Sequence, residues 1–360
     1  MLTIIYSYRN RDLNRLENSF NSLARQSVKD FDVILVDYGS EPDLAKNAKE
    51  LCSKYKFISY IYRFAQYQPW NKSKALNSVI KDLKTEQCFV ADVDMIFRSD
   101  FIEIAYSLKD PENITYFEVG FLGPKEDLKD LNFADITNYR KSTHEATGLS
   151  LFPVTALKQI RGFDEFYHFW GAEDTDVHKR LIDKGYKTDF YNSETLMFHQ
   201  WHPSYRSSES KKITKDFQIS GIVQLNHQYL QNGLLKTSTE VNAKGWGETL
   251  LNEELQSLEK ESVNLILNTE KRKIDNLLFG ILPNLGNGIL KVRIESLKKD
   301  NLRQMLKKSM GKKVPECYSL KKVNDLILLH LISYYRDLPY TFKIDDKLQS
   351  IEFALKITNR

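Results

Sequence analysis

The segment CFVADVDMIF, residues 88–97, sets two carboxylates, Asp92 and Asp94, into an otherwise apolar run. An unpaired buried carboxylate takes up a proton rather than stay charged, so the pair calls for a cation. At a strand end the chain turns and both side chains converge. An Asp-x-Asp placed there suits a hard divalent ion, Mg2+ or Mn2+, which takes few protein oxygens and completes its shell with water and phosphate. Taken alone, the pair is also accounted for by a solvated loop, with Ser99 and Asp100 as caps of a following helix.

A second cluster, RGFDEFYHFWGAEDTDVHKRL, residues 161–181, brings Glu173, Asp174 and Asp176 to the start of a predicted helix. The helix dipole favours one or two acids at that position without any function. It does not account for the preceding Trp170, Gly171 and Ala172. Small residues let a bound molecule reach the backbone, and an indole offers an apolar face on which a sugar ring can stack. In a third stretch, LMFHQWHP at 196–203, His199 and His202 follow a predicted strand, and each reads either as a ligand or as a satisfied structural histidine.

The elements that must position these groups alternate in the βα manner over residues 1–110. LTIIYSY, FDVILVDYGS, KFISYIYRF and QCFVADVDMIF read as strands, with LNRLENSFNSLARQ and NKSKALNSVIKDL as helices between them. Such alternation predicts an α/β fold with a mostly parallel sheet, and these sheets bind ligands beyond the carboxyl ends of their strands. Asp37 and the Asp92/Asp94 pair fall at such ends. Beyond residue 150, ALKQIRGFDEF reads as a helix stopped at Gly162, GAEDTDVHKRLIDKG as a helix stopped at Gly185, and KTDFYNSETLMFHQW as strand, turn and strand. Helical periodicity from about Glu248 predicts two domains, 1–240 and a mainly helical 241–360.

In this order, the three clusters resemble inverting glycosyltransferases of the GT-A fold, between family 2 and the β-1,4-galactosyltransferase family. IIYSYRNR with VILVDYGS is similar to the nucleotide-binding start of family 2. PWNKSKALN resembles the galactosyltransferase segment Phe-Asn-Arg-Ala-Lys-Leu-Leu-Asn, and CFVADVDMI its metal strand. GFDEFYHFWGAEDTD resembles the Trp-Gly-Gly-Glu-Asp acceptor and base motif, and FHQ the late metal histidine of chondroitin-polymerase-type domains. The likeness spans residues 1–206.

The resemblance implies that Asp94 ligates the metal, while Asp92 contacts the ribose or a metal-bound water. It makes His199 the second ligand, with His202 as its substitute. Asp174 becomes the general base, with Glu173, Trp170 and Gly171 around the acceptor. Lys74 and Asn77 are implied near the donor, Asp37, Tyr6 and Tyr8 around the base and ribose, and Arg9 at the diphosphate. Tyr38 stands where family 2 has a second aspartate, Ala172 where the motif has its second glycine, and Glu145 where the galactosyltransferases have an aromatic.

The implied activity is metal-dependent inverting transfer of a hexose or N-acetylhexosamine from a UDP-sugar to a glycan or lipid-linked acceptor in surface polysaccharide synthesis. A nucleotidyltransferase would need a glycine-rich phosphate loop where YSYRNRD has no glycine, and a non-catalytic glycan-binding subunit would not need the Glu173–Asp174 pair. A loop at 66–70 or 203–212 is expected to close over the donor.

Composition agrees with a globular chain: 360 residues, 41% hydrophobic and 28% charged. No run approaches the ~20 apolar residues of a membrane span. The three cysteines, Cys52, Cys88 and Cys317, lack metal-site spacing, which favours a reducing cytoplasmic compartment. Net charge is +4, yet residues 271–313 hold twelve Lys or Arg against Asp275, Glu295 and Asp300. That segment reads either as a peripheral contact with an anionic membrane surface or as a solvated lysine face; no nucleic-acid motif accompanies it.

Overall fold

β1 (Leu2–Tyr8) is buried along its whole length, as a strand covered by helices on both faces of a parallel sheet must be. The structure, a computed structural model, describes residues 1–124, 133–203, 209–235, 240–297, 309–310 and 314–358. Helix α1 (Leu13–Ala24) leads to β2 (Phe31–Asp37), α2 (Pro42–Ser53) to β3 (Ile58–Tyr62), and α3 (Lys72–Ile80) to β4 (Gln87–Ala91). β2 and β4 flank β1 in parallel, and β3 extends the sheet beside β2. Short strand β5 (Met95–Phe97) and α4 (Phe101–Ser107) precede β6 (Asn113–Phe117), β7 (Gly120–Phe121), β8 (Arg140–Lys141) and β9 (Ser150–Pro153). Then come α5 (Val154–Gln159), α6 (Glu173–Asp183), β10 (Lys187–Tyr191) and β11 (Met197–His199).

The seven-stranded sheet runs β10-β6-β9-β4-β1-β2-β3, parallel except for β9. Alternate residues of β1 feed two apolar layers. Ile4 and Tyr6 pack with Leu16 and Phe20 of α1, whereas Ile5 packs with Ala75, Leu76 and Val79 of α3. The carboxyl ends of β1, β2 and β4 share one edge, so the loops after them open toward a common side.

Residues 88–97 do not form the single strand that their composition suggests. β4 ends at Ala91, and β5 joins a second sheet, β5-β11-β7-β8. The two carboxylates occupy the break, where neither would have to be buried between the layers of the main sheet. Gly162 and Gly185 terminate their helical segments as expected, both with φ in the left-handed region.

One compact unit comprises Met1–Gln66, Trp70–Ser207 and Val223–Thr249, and includes most of α7 (Ile222–Gln231). The other comprises Tyr67–Pro69, Ser208–Ile222 and Leu250–Arg360. This second unit has the helices α8 (Asn252–Lys260), α9 (Lys271–Asn276) and Leu320–Tyr334. It also has a four-stranded sheet that the sequence reading did not resolve: β12 (Leu265–Asn268), β13 (Gly288–Glu295), the strand Ser350–Ile357 and the strand Tyr340–Ile344, in that order. Apolar runs of four to eight residues fit either element by periodicity alone.

Tyr67 belongs to this sheet's surroundings, its carbonyl accepting from the Phe342 amide, and Gln68 donates to the Tyr340 carbonyl. The loop expected at 66–70 is therefore tied down. Residues 204–208 of the other expected loop lie outside the described residues, as do 298–308 and 311–313 of the basic segment. Within its described part, Lys271 pairs with Glu316, Arg272 and Lys273 with Glu270, and Lys291 and Arg293 with Glu352. Among the described residues, no helix is long and apolar enough to cross a membrane.

Candidate active site

Strand pairing brings the first group together. β11 runs antiparallel to β5 with His199 opposite Met95, and the Gln200 amide donates to the Asp94 carbonyl. Asp94 Oδ2 lies 3.0 Å from His202 Nε2, and Asp94 Oδ1 lies 3.6 Å from His199 Nε2. One ligand atom from each of the three residues falls within 4.8 Å of the others. His202 is thus not a substitute for His199; both stand beside Asp94. His202 Nδ1 donates to the Pro203 carbonyl at 2.8 Å, which turns Nε2 toward the Asp94 carboxylate.

Asp94 is nearly buried, and its Oδ1 lacks a hydrogen-bond partner among the described residues. Burial works to raise its pKa, but the hydrogen bond from His202 and the two imidazoles outweigh that and hold it below the usual carboxylate range. His202 is shifted upward, chiefly by its bond to Asp94. One carboxylate, two imidazoles and an orphaned oxygen are a donor set that fits a divalent cation.

The second group is built on the N-termini of α3 and α6. Asn71 caps α3 by accepting from the Lys74 amide, and its Nδ2 donates to the Glu165 carbonyl. This fixes Lys72 in the first turn, with Nζ 3.2 Å from Asp174 Oδ2, 3.8 Å from Glu173 Oε1 and 3.5 Å from Asp92 Oδ1. Asp92 is 45% exposed at its side chain, and it faces this lysine rather than joining the Asp94 group.

Glu173 and Asp174 open α6 after a strained approach. Phe169, Gly171 and Ala172 all have positive φ, a conformation that costs on the order of 1–3 kcal/mol for a residue with a side chain. The strain is held from outside: Phe169 donates to the Trp70 carbonyl, and Asn226 Nδ2 donates to the carbonyls of His168 and Trp170. Trp170 keeps 44% of its surface exposed. Asp174 is ion-paired but not sealed, with 22% of its side chain exposed, and a Cβ added at Gly148 would stand 3.1 Å from its Oδ2. Burial raises the pKa of Asp174, with Asp92 adding to the rise and Lys72 opposing it. Burial and the neighbouring Asp174 push Glu173 up to about 7.

The other residues that the resemblance implies have partners of their own. Lys74 Nζ pairs with Glu165 at 3.6 Å, and Asn77 Nδ2 donates to Glu165 Oε1 and to the Phe163 carbonyl. Both are buried braces for the segment that leads into Trp170, and neither faces the carboxylates at Lys72. Asp37 is fully buried, its Oδ1 accepting from the Ser40 amide and its Oδ2 from the Tyr60 hydroxyl. Tyr6 and Tyr8 are also fully buried, their hydroxyls engaged by Ser19 and by the Arg11 carbonyl. These three shape the loops after β1 and β2 from below. Arg9 donates to the Gln66 carbonyl at 2.9 Å. Lys72 was missed by sequence reasoning, although it occupies the arginine position of the galactosyltransferase segment that PWNKSKALN resembles.

A mostly parallel sheet with carboxylates and histidines at its carboxyl edge, beside an acid pair that follows the exposed Trp170 in the chain, is the arrangement that the sequence resemblance implies. Residues 3–144 match the family described as glycosyl transferase family 2, and residues 131–203 match the family described as N-terminal domain of galactosyltransferase. Residues 3–203 thus carry two overlapping matches to glycosyltransferase families.

Among solved structures, it is similar to S. aureus TarS (14% identity, TM-score 0.42, covering 56% of this chain and 36% of that one). TarS 1–349 gives 14% identity and a TM-score of 0.43, covering 55% of this chain and 60% of that one. The mannosyltransferase PcManGT from Pyrobaculum calidifontis, in complex with GDP-Man and Mn2+, gives 16% identity and a TM-score of 0.41, covering 57% of each chain. The chain thus spans between about a third and three-fifths of the length of these structures.

Proposed function

We propose that the chain transfers a hexose or N-acetylhexosamine, with inversion, from a UDP-sugar to a glycan or lipid-linked acceptor in surface polysaccharide synthesis, and that a divalent cation is required. The observation that carries this reading is the pairing of Asp94 with His199 and His202 at the end of β4, close to Asp92, which shares Lys72 with the acid pair of α6.

Asp94, His199 and His202 would hold the cation. Two imidazoles favour Mn2+ over Mg2+, which prefers an all-oxygen shell. When bound, such an ion supplies positive charge to a departing diphosphate. The protein's own residues account for the rest. Trp170 offers its face to a sugar ring, and Glu173, held near neutrality, donates to or accepts from an acceptor hydroxyl. Asp174, through the oxygen facing Gly148, takes the proton of the attacking hydroxyl. One displacement from the face opposite the leaving group inverts the anomeric carbon.

A lipid-linked acceptor would place the basic segment 271–313 near an anionic surface, and co-sedimentation with anionic liposomes reads this directly. The broader test is a panel of UDP- and GDP-sugars assayed for nucleotide release with and without EDTA. Release that stops with EDTA and returns with Mn2+ supports the reading. Tight nucleotide binding without turnover across the panel supports a non-catalytic subunit instead.

A further inference from the structure

Lys72 takes no part in the transfer just described, yet its position joins both halves of the site. Its ammonium stands 3.5 Å from Asp92 on one side and 3.2 Å from Asp174 on the other, and its side chain is only 12% exposed. Burial disfavours its charge, but Asp174, Asp92 and Glu173 together outweigh that, so it remains protonated. A lysine is a point charge on a flexible stem and can shift between partners without losing its charge. Asp92 lies two residues before Asp94 in the turn between β4 and β5, so a diphosphate that spans the two carboxylates would come up to the same ammonium. Asp174 pays for this partnership, because an ammonium at 3.2 Å stabilises the carboxylate and weakens it as a proton acceptor.

We propose that Lys72 is a positioning residue that couples donor binding to the base: a nucleoside diphosphate seated beside Asp92 and Asp94 draws the ammonium toward itself and releases Asp174 from its ion pair. Asp174 then becomes an effective base only when a donor is in place. The inference rests on Asp174 being the base, as proposed above. Linkage gives it a second consequence. If the diphosphate and Asp174 compete for one ammonium, removing the charge of Asp174 strengthens diphosphate binding, and the gain depends on Lys72.

The test is calorimetric titration of UDP and GDP, with Mn2+ present, into wild type, Asp174→Asn, Lys72→Gln and the double variant, each checked for folding by thermal melt. Asp174→Asn is expected to bind the preferred nucleotide about five- to tenfold more tightly than wild type, Lys72→Gln more weakly, and the double variant no more tightly than Lys72→Gln. Should Lys72→Gln not fold, Lys72→Arg serves as the second background; it keeps the charge and is expected to retain a gain on adding Asp174→Asn.

Equal affinity of wild type and Asp174→Asn overturns the inference, and so does a gain of equal size with and without the Lys72 charge. Failure of both nucleotides to bind wild type counts against it as well. Transfer activity separates this from the underlying reading. Loss of transfer in Asp174→Asn without the Lys72-dependent gain removes the coupling alone. Retained transfer removes Asp174 as the base, whatever the titrations show.

Discussion

His202 Nε2 stands 3.0 Å from Asp94 Oδ2, although the two residues lie far apart in the sequence. The antiparallel pairing of β5 with β11 makes that contact, and His199 comes with it. Mn2+ titration followed by paramagnetic resonance is expected to show one site per chain. His202→Ala and His199→Ala should each weaken it at least about tenfold, and Asp94→Asn should do the same. Undiminished binding in His202→Ala would return His199 to the sole histidine role that the sequence first indicated.

Lys74 and Asn77 act as braces, and this separates them from donor contacts by experiment. Asn77→Ala removes two donated hydrogen bonds and the acceptor for the Phe163 amide, at a cost of about 2–3 kcal/mol. Urea unfolding measures that loss, and nucleotide affinity of the folded variant should stay unchanged. A raised nucleotide Kd at unchanged stability would put Asn77 at the donor after all.

His178 gives a stability effect with a definite sign. It is buried, with Nε2 2.8 Å from Ser150 Oγ, and burial depresses its pKa to about 4. The unfolded chain takes up a proton near the ordinary value of 6.5, and the folded chain does not. Its contribution is therefore intact above 6.5 and is lost as pH falls from 6.5 toward 4, at up to about 1.4 kcal/mol per pH unit. Urea unfolding at pH 7 and pH 5 of wild type and His178→Asn should show a smaller pH dependence in the variant. Equal slopes would mean that His178 is not held neutral.

The βα alternation as far as β4 was legible because its strands and helices differ in period, and Gly162 and Gly185 punctuate the later helices. Two kinds of information were not. Side-chain direction in β1 could not be read, since a strand buried on both faces lacks the polar alternation that would show where Tyr6 and Tyr8 point. On α3, Lys72 and Lys74 are two positions apart and project from opposite sides of the helix, so only one can face the site. Helix register sets Lys72 among the acids and Lys74 against Glu165. The sheet of the second unit was not legible because β12, LILN, is too short for its period to separate it from a continuation of the helical pattern of α8.

The central claim is that Asp174 accepts the proton of the incoming hydroxyl. Single-turnover transfer by Asp174→Asn, with Mn2+ and a donor that wild type uses, tests it most directly. The expected rate is lower by about 10² to 10⁴ with nucleotide binding retained, and wild type should show an acid limb above the usual carboxylate range, because Asp174 must be ionised to act. Transfer by Asp174→Asn at the wild-type rate would contradict it.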